Sequence, residues 1–251
     1  MSSAFLLVWH GSRDRRPHLA ISQLTALIAQ ELQAIAPVSA AGNTLILPRP
    51  PLIDAAALEL GSFPLSESIL RFARQAKSQG CQRVKIYPLF LLEGVHVRED
   101  IPAEVAIARS QLQGEIELEL LPHLGSRWQA IELLAGAFSA LPAGDRILLA
   151  HGSRKTSAQQ SIGEIARQLN ARPAYWRVLP NLEMQISHLV TNEQKDIVIQ
   201  PYFLFTGRIT DAIAREFRRL QEKFTDANLY LGQPFGATPA LARLIRDGID
   251  L

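Results

Sequence analysis

The sequence predicts an α/β fold of two similar lobes, each a mainly parallel four-stranded sheet flanked by helices. Three observations carry that expectation. His-Gly-Ser-Arg occurs at 10–13 and again at 151–154, both times where an apolar run gives way to polar residues. Tyr87-Pro88-Leu89-Phe90-Leu91-Leu92 is matched by Gln200-Pro201-Tyr202-Phe203-Leu204-Phe205, and Leu121-Pro122-His123-Leu124-Gly125 resembles Gln233-Pro234-Phe235-Gly236. Between these landmarks short apolar runs alternate with segments of helical period, the pattern of buried parallel strands joined by crossover helices.

The elements follow in order. Residues 5–9 form an unbroken apolar run that ends at the first HGSR turn and read as a strand, with helical periodicity over 19–35 behind it. The second strand is expected at 55–60 with a helix at 65–78, and the third at 83–92 with a helix at 99–112. Cys81 falls at the helix-to-strand turn between them and reads as an inert residue. A fourth strand at 116–120 and a helix at 128–140 close the first half. The second half repeats the order, with strands near 146–150, 174–178, 196–205 and 228–231 and helices near 158–169, 182–191, 208–223 and 238–247.

The spacing of the two halves is unequal. HGSR recurs after 141 residues but the Pro88/Pro201 motif after only 113, so the first half carries about 28 more residues between its first and third strands. Much of the surplus is the Pro- and Gly-rich stretch around 37–54, read as an inserted loop with a short hairpin that can act as a lid. The boundary between halves falls at Leu-Pro-Ala-Gly-Asp, 141–145, giving lobes 1–142 and 143–251.

Composition bounds the function. Hydrophobic residues make up 47% and charged residues 20% of 251, which suits a chain with a full core. A net charge of +2 offers no basic footprint for nucleic acid. The N-terminal apolar run is too short for a signal peptide or a membrane span, so a cytoplasmic location is expected. One cysteine excludes an internal disulfide and any Cys-clustered zinc or iron–sulfur site within the chain.

Ligands of open parallel sheets bind at the carboxyl ends of the strands. His10 directly follows the first strand, Glu59 ends the second, and His96 lies just past the third, so two imidazoles and a carboxylate converge on one rim. Imidazole nitrogen binds borderline divalent metals, and a carboxylate beside it accepts protons. The set suits transient handling of a transition metal rather than a closed structural site. Arg13, Arg15, Arg16, Arg98, Arg154 and Arg208 lie toward the same ends, and arginine forks hold carboxylates bidentately, so a multiply acidic small ligand is expected. Gly11 and Gly152 permit a tight turn whose following amides can take an anion. Ser12, Arg13, Arg98, His151, Arg154 and Arg208 are the candidate substrate-binding residues. His18, His123 and His188 are weaker candidates. No G-x-G-x-x-G, Walker A, G-x-S-x-G or H-E-x-x-H pattern occurs, which speaks against NAD, ATP and serine-hydrolase chemistry.

The second half keeps His151, but the counterpart of Glu59 is Trp176 or Arg177. Its third-strand loop reads TGRITDAI where the first half has EGVHVREDI, one residue longer and carrying His96. One active site, in the first half, is the expectation.

A strand ending in HGSR, a second ending in Leu-Glu-Leu, and PLFLLEGVHVREDIP together resemble the class II tetrapyrrole chelatases of the CbiX/SirB type, over nearly the whole chain. The resemblance implies a long, two-lobed form that inserts a divalent metal into sirohydrochlorin, with His10 and His96 as metal ligands and His10, His96 and Glu59 as catalytic residues. It also implies an anionic, eight-carboxylate macrocycle for the arginines to clamp, no nucleotide, and no permanently bound cofactor. Fe2+ is favoured over Co2+ because a His-rich tract found in some cobalt enzymes is missing. Cobalt insertion and a noncatalytic tetrapyrrole or metal carrier are the alternatives. A histidine phosphatase expects Arg before His-Gly, where Trp9 and Ala150 stand. A monomer with two pseudo-symmetric lobes is expected, with no nucleic-acid or membrane partner.

Overall fold

The computed structural model describes residues 2–35, 39–41, 44–46, 50–153 and 155–249. They fall into two compact units, Met1–Ser126 with Ala237–Leu251, and Arg127–Gly236.

The first unit begins with β1 (Ser3–Trp9), α1 (Arg15–Ile35), the short strands β2 (Ser39–Ala41) and β3 (Thr44–Ile46), β4 (Ile53–Ala57) and α2 (Leu65–Ser78). β5 (Arg83–Pro88), a π-helical turn His96–Asp100, α3 (Ile101–Leu112) and β6 (Glu117–Leu120) follow. Its sheet is parallel throughout, in the order β4-β1-β5-β6. β1 is buried from Ala4 to Trp9 because helices cover both faces, which is why it reads as an unbroken apolar run. Leu6, Val8, Ile69, Ile86 and Ile101 belong to one continuous core.

The second unit holds α4 (Gln129–Ser139), β7 (Asp145–Ala150), α5 (Thr156–Gln168), β8 (Ala171–Tyr175), α6 (Leu182–Thr191), β9 (Asp196–Pro201), α7 (Arg208–Lys223) and β10 (Asn228–Leu231). Its parallel sheet, β10-β9-β7-β8, has the same strand order as the first, 2-1-3-4, when the β2–β3 hairpin is left out and the four strands of each sheet are numbered along the chain. Ile147, Leu149, Ile186, Ile199 and Ile213 form its core.

The last helix, α8 (Pro239–Ile249), belongs to the first unit. Arg246 pairs with Glu31 of α1 at 2.8 Å, and buried Lys85 of β5 donates to Ile249 O at 2.8 Å, at the negative end of the helix dipole. Gly248 lets α8 approach closely: a Cβ there would lie 2.9 Å from Tyr87 Oη. The repeat boundary at 142/143 is therefore not the boundary of the compact units, because α4 stays with the second sheet and α8 packs on α1. Sequence repeats show which elements are equivalent, but burial decides which sheet covers each terminal helix.

Four strands differ from expectation in their bounds. β4 stops at Ala57, where its ladder with β1 ends at Trp9, and the chain turns away through Leu60 at φ +58°. β5 stops at Pro88 and β9 at Pro201, each the last residue of its strand. β8 runs from Ala171, earlier than expected, because its ladder with β7 starts at Arg146↔Ala171. The hairpin expected in the insertion exists as β2–β3, antiparallel with Ser39↔Ile46. Residues 36–38, 42–43 and 47–49 of the insertion lie outside the described residues, and with them the expectation of a lid.

Candidate active site

The strand order reverses direction between β1 and β5, the switch point where open α/β sheets leave a crevice beyond their carboxyl ends. His10 leaves β1 on one side of it. The backbone of 58–59 is zipped to that of 9–10: Leu58 N–H donates to Trp9 O at 2.7 Å and Glu59 N–H to His10 O at 3.0 Å. Gly11, at φ +96°, makes this approach possible, since a Cβ there would sit 1.8 Å from Glu59 O. The result is a carboxylate beside an imidazole, with His10 Nε2 3.9 Å from Glu59 Oε2 and both side chains about half exposed.

His96 arrives by a different device. The first-half loop is one residue longer than its counterpart, and the chain absorbs that length as the π-helical turn, closed by a bond from Ile101 N–H to His96 O. Single π turns of this kind are frequent at functional sites. The imidazole centroids of His10 and His96 are 5.0 Å apart, with the Phe90 ring 6.5 Å from one and 6.1 Å from the other. A metal–nitrogen bond of about 2.1 Å places an ion roughly 3 Å from each ring centre, so two rings about 5 Å apart can share one ion. Among the described residues no three His, Cys, Asp or Glu side chains stand close enough together to form a metal-binding group.

Asp100 was not among the residues singled out from the sequence. Its Oδ2 lies 2.7 Å from His96 Nδ1, which orients the ring and leaves Nε2 for another partner. Its signal was the i, i+4 spacing to His96 at a helix start. The weaker candidates separate. His18 donates toward Ser12 O at 2.7 Å and meets the Trp9 ring edge-on, bracing the turn. Burial pushes the His123 imidazole below its usual pKa, partly offset by nearby Glu93. His188 pairs with Arg172 at 3.0 Å.

The expected arginine cluster is divided. Arg13, Arg98 and Arg208 are exposed, and no carboxylate among the described residues is paired with them. Arg16 instead grips Asp14 at 2.6 Å. Ser12 Oγ accepts from Asp14 N–H at 3.0 Å, a role in shaping the turn. Arg154 lies outside the described residues.

The CbiX family model matches residues 4–140 and again 146–250. The chain belongs to the CbiX family. Among its relatives, sirohydrochlorin ferrochelatase of Priestia megaterium is 24% identical over 212 residues, 78% of this chain and 77% of that protein. Sirohydrochlorin cobaltochelatase of the same organism is 24% identical over 186 residues, 68% of this chain and 60% of that protein. The structure of SirB from Bacillus subtilis with Fe3+ covers all of this chain and 95% of its own, with a TM-score of 0.74 at 22% identity, and shares the fold.

Both CbiX repeats build the same turn. Ser153 Oγ accepts from Lys155 N–H as Ser12 Oγ does from Asp14, and Gln159 Nε2 donates to Ser153 O at 2.9 Å where His18 faces Ser12 O. In the second repeat Trp176 N–H donates to Ala150 O and Arg177 N–H to His151 O, so Arg177, not Trp176, stands at the position of Glu59. α7 begins as a regular helix at Arg208, with Gly207 N–H bonded to Thr210 Oγ1. Asp211 N–H donates to Gly207 O as Arg98 N–H does to Gly94 O, which puts Ile209 in the register position of His96.

Proposed function

We propose that this chain is an ATP-independent sirohydrochlorin chelatase that inserts a divalent metal into sirohydrochlorin with release of two protons, Fe2+ being its preferred metal. The observation that carries this reading is the pair of imidazoles 5.0 Å apart with Glu59 3.9 Å from one of them. Membership of the CbiX family and the names of its relatives supply the substrate class.

Insertion requires the metal to lose water, the macrocycle to offer nitrogen lone pairs, and two pyrrole N–H protons to leave. His10 and His96 hold the ion by their Nε2 atoms, and the Asp100 hydrogen bond keeps His96 in the tautomer that can do so. Glu59 stands beside the ion and receives the departing protons, which pass from its exposed carboxylate to solvent. Two of the four nitrogens give up their N–H protons and the other two bind through lone pairs they already carry, so two protons leave for each divalent ion and charge balances without a nucleotide. Positioning and desolvation supply the rate. Arg13 and Arg98 sit exposed near the same strand ends, where they can meet macrocycle carboxylates.

Cobalt insertion is the second reading, favoured by the cobaltochelatase among the relatives. His and carboxylate ligands accept either ion, with affinity following the Irving–Williams order. Among the described residues no helix is long and apolar enough to cross a membrane. A monomer acting in the cytoplasm is part of this proposal, and sedimentation as a tight dimer would overturn the monomer. The deciding experiment is anaerobic metallation of sirohydrochlorin followed by absorbance with Fe2+, Co2+ and Ni2+. Acceleration over the spontaneous rate, lost in His10→Ala and His96→Ala, is expected. Macrocycle binding without acceleration by any metal would make the chain a carrier.

A further inference from the structure

The second copy of the site has kept its backbone and reversed its charge. β7 leads through His151 into Gly152 at φ +80° as β1 leads through His10 into Gly11 at φ +96°. Arg177 N–H meets His151 O at 3.0 Å, the same bond that Glu59 makes with His10. Where the first repeat has imidazole, carboxylate and imidazole, the second has His151, a guanidinium at the carboxylate position and Ile209 in register with the second imidazole. A cation would lose one ligand, lose the neighbouring negative charge and face a fixed positive one. An oxyanion gains a planar fork of donors.

The space is there. His151, Gly152, Ser153, Arg177 and Val178 line a cavity of about 510 Å3. The Arg177 side chain is exposed, and no carboxylate among the described residues is paired with it. These are the features of a guanidinium held open for a ligand rather than spent on an internal ion pair.

We propose that the second HGSR site is an oxyanion site, in which Arg177 and His151 bind a carboxylate-type group. That group comes either from a side arm of the tetrapyrrole, which rests on the reading given under Proposed function, or from a small free anion.

The test uses the metal-free full-length protein and its Arg177→Gln, Arg177→Lys and Arg177→Glu variants, with thermal melts to show that these surface changes leave the fold intact. Citrate and inorganic phosphate are titrated calorimetrically, and sirohydrochlorin by its absorbance. A fall of about tenfold in sirohydrochlorin affinity in Arg177→Gln, a larger one in Arg177→Glu and partial retention in Arg177→Lys would place a macrocycle carboxylate there. Citrate or phosphate binding that Arg177→Gln abolishes, with sirohydrochlorin unaffected, would assign the site to a free anion. Unchanged binding of all three probes in Arg177→Gln would overturn the proposal. If wild type neither bound nor metallated sirohydrochlorin, the chelatase reading would fall while the citrate and phosphate titrations still decided this one.

Discussion

Asp100 and His96 are four residues apart within one π-helical turn, and the carboxylate oxygen is 2.7 Å from Nδ1. In the neutral imidazole this places the proton on Nδ1 and the lone pair on Nε2. Under the proposed function Asp100 is a positioning residue: it touches His96, the proposed ligand, and not the metal.

Asp100→Asn is expected to reduce metallation about tenfold to a hundredfold, with KM for the metal rising and KM for sirohydrochlorin unchanged. The pair is partly exposed, so the melting temperature should barely move. Steady-state kinetics with each substrate varied in turn checks the split, and an equal rise in both KM values would refute the positioning role.

The two HGSR histidines should behave differently. His10→Ala and Glu59→Gln are expected to lower kcat by about a hundredfold or more, as loss of a ligand or proton acceptor requires. His151→Ala should leave kcat within about threefold and act on macrocycle affinity alone, where the carboxylate fork is weakened. Loss of kcat in His151→Ala with retention in His10→Ala would move the active site to the other repeat.

Gly11→Ala forces a Cβ to within 1.8 Å of Glu59 O at a positive φ. The strand-to-strand bond must open, with a stability cost of about 1–3 kcal/mol and displacement of Glu59 from His10. Urea denaturation and metallation rate measured on the same sample should both fall.

Burial holds the His123 imidazole below its usual pKa, so folding favours the neutral ring. The corresponding stability is present above the ordinary histidine pKa of 6.5 and is lost as pH falls through the lower folded value. Wild type should lose more stability between pH 7.5 and acid conditions than His123→Gln. Urea midpoints at a series of pH values test this, and parallel curves would contradict it.

Removal of 237–251 takes α8 away from α1, together with the Arg246–Glu31 pair and the Lys85 partner. Leu241, Leu244, Ile245 and Ile249 leave the core, and Lys85 loses its bond to the Ile249 carbonyl. The truncated chain should be much less stable or fail to fold, because the apolar burial of α8 is lost together with the Arg246–Glu31 pair and the Lys85 hydrogen bond. An unchanged melting temperature would show that α8 is dispensable.

Chain order and patterning alone determined the alternation of strands and helices, the twofold repeat, and the rim on which His10, Glu59 and His96 meet. These are local properties: an apolar run, a glycine after a strand, and a motif repeated at matching places. The tertiary structure decided what depends on groups distant in sequence. It assigned α8 to the first unit and α4 to the second, since a terminal helix packs where its apolar face is covered. It aligned Arg177 with Glu59 through a hydrogen bond to His151 that spacing had left open between two residues. It also turned one extra residue before α3 into the π turn that joins Asp100 to His96, because helical phase is set by backbone bonding and not by letters.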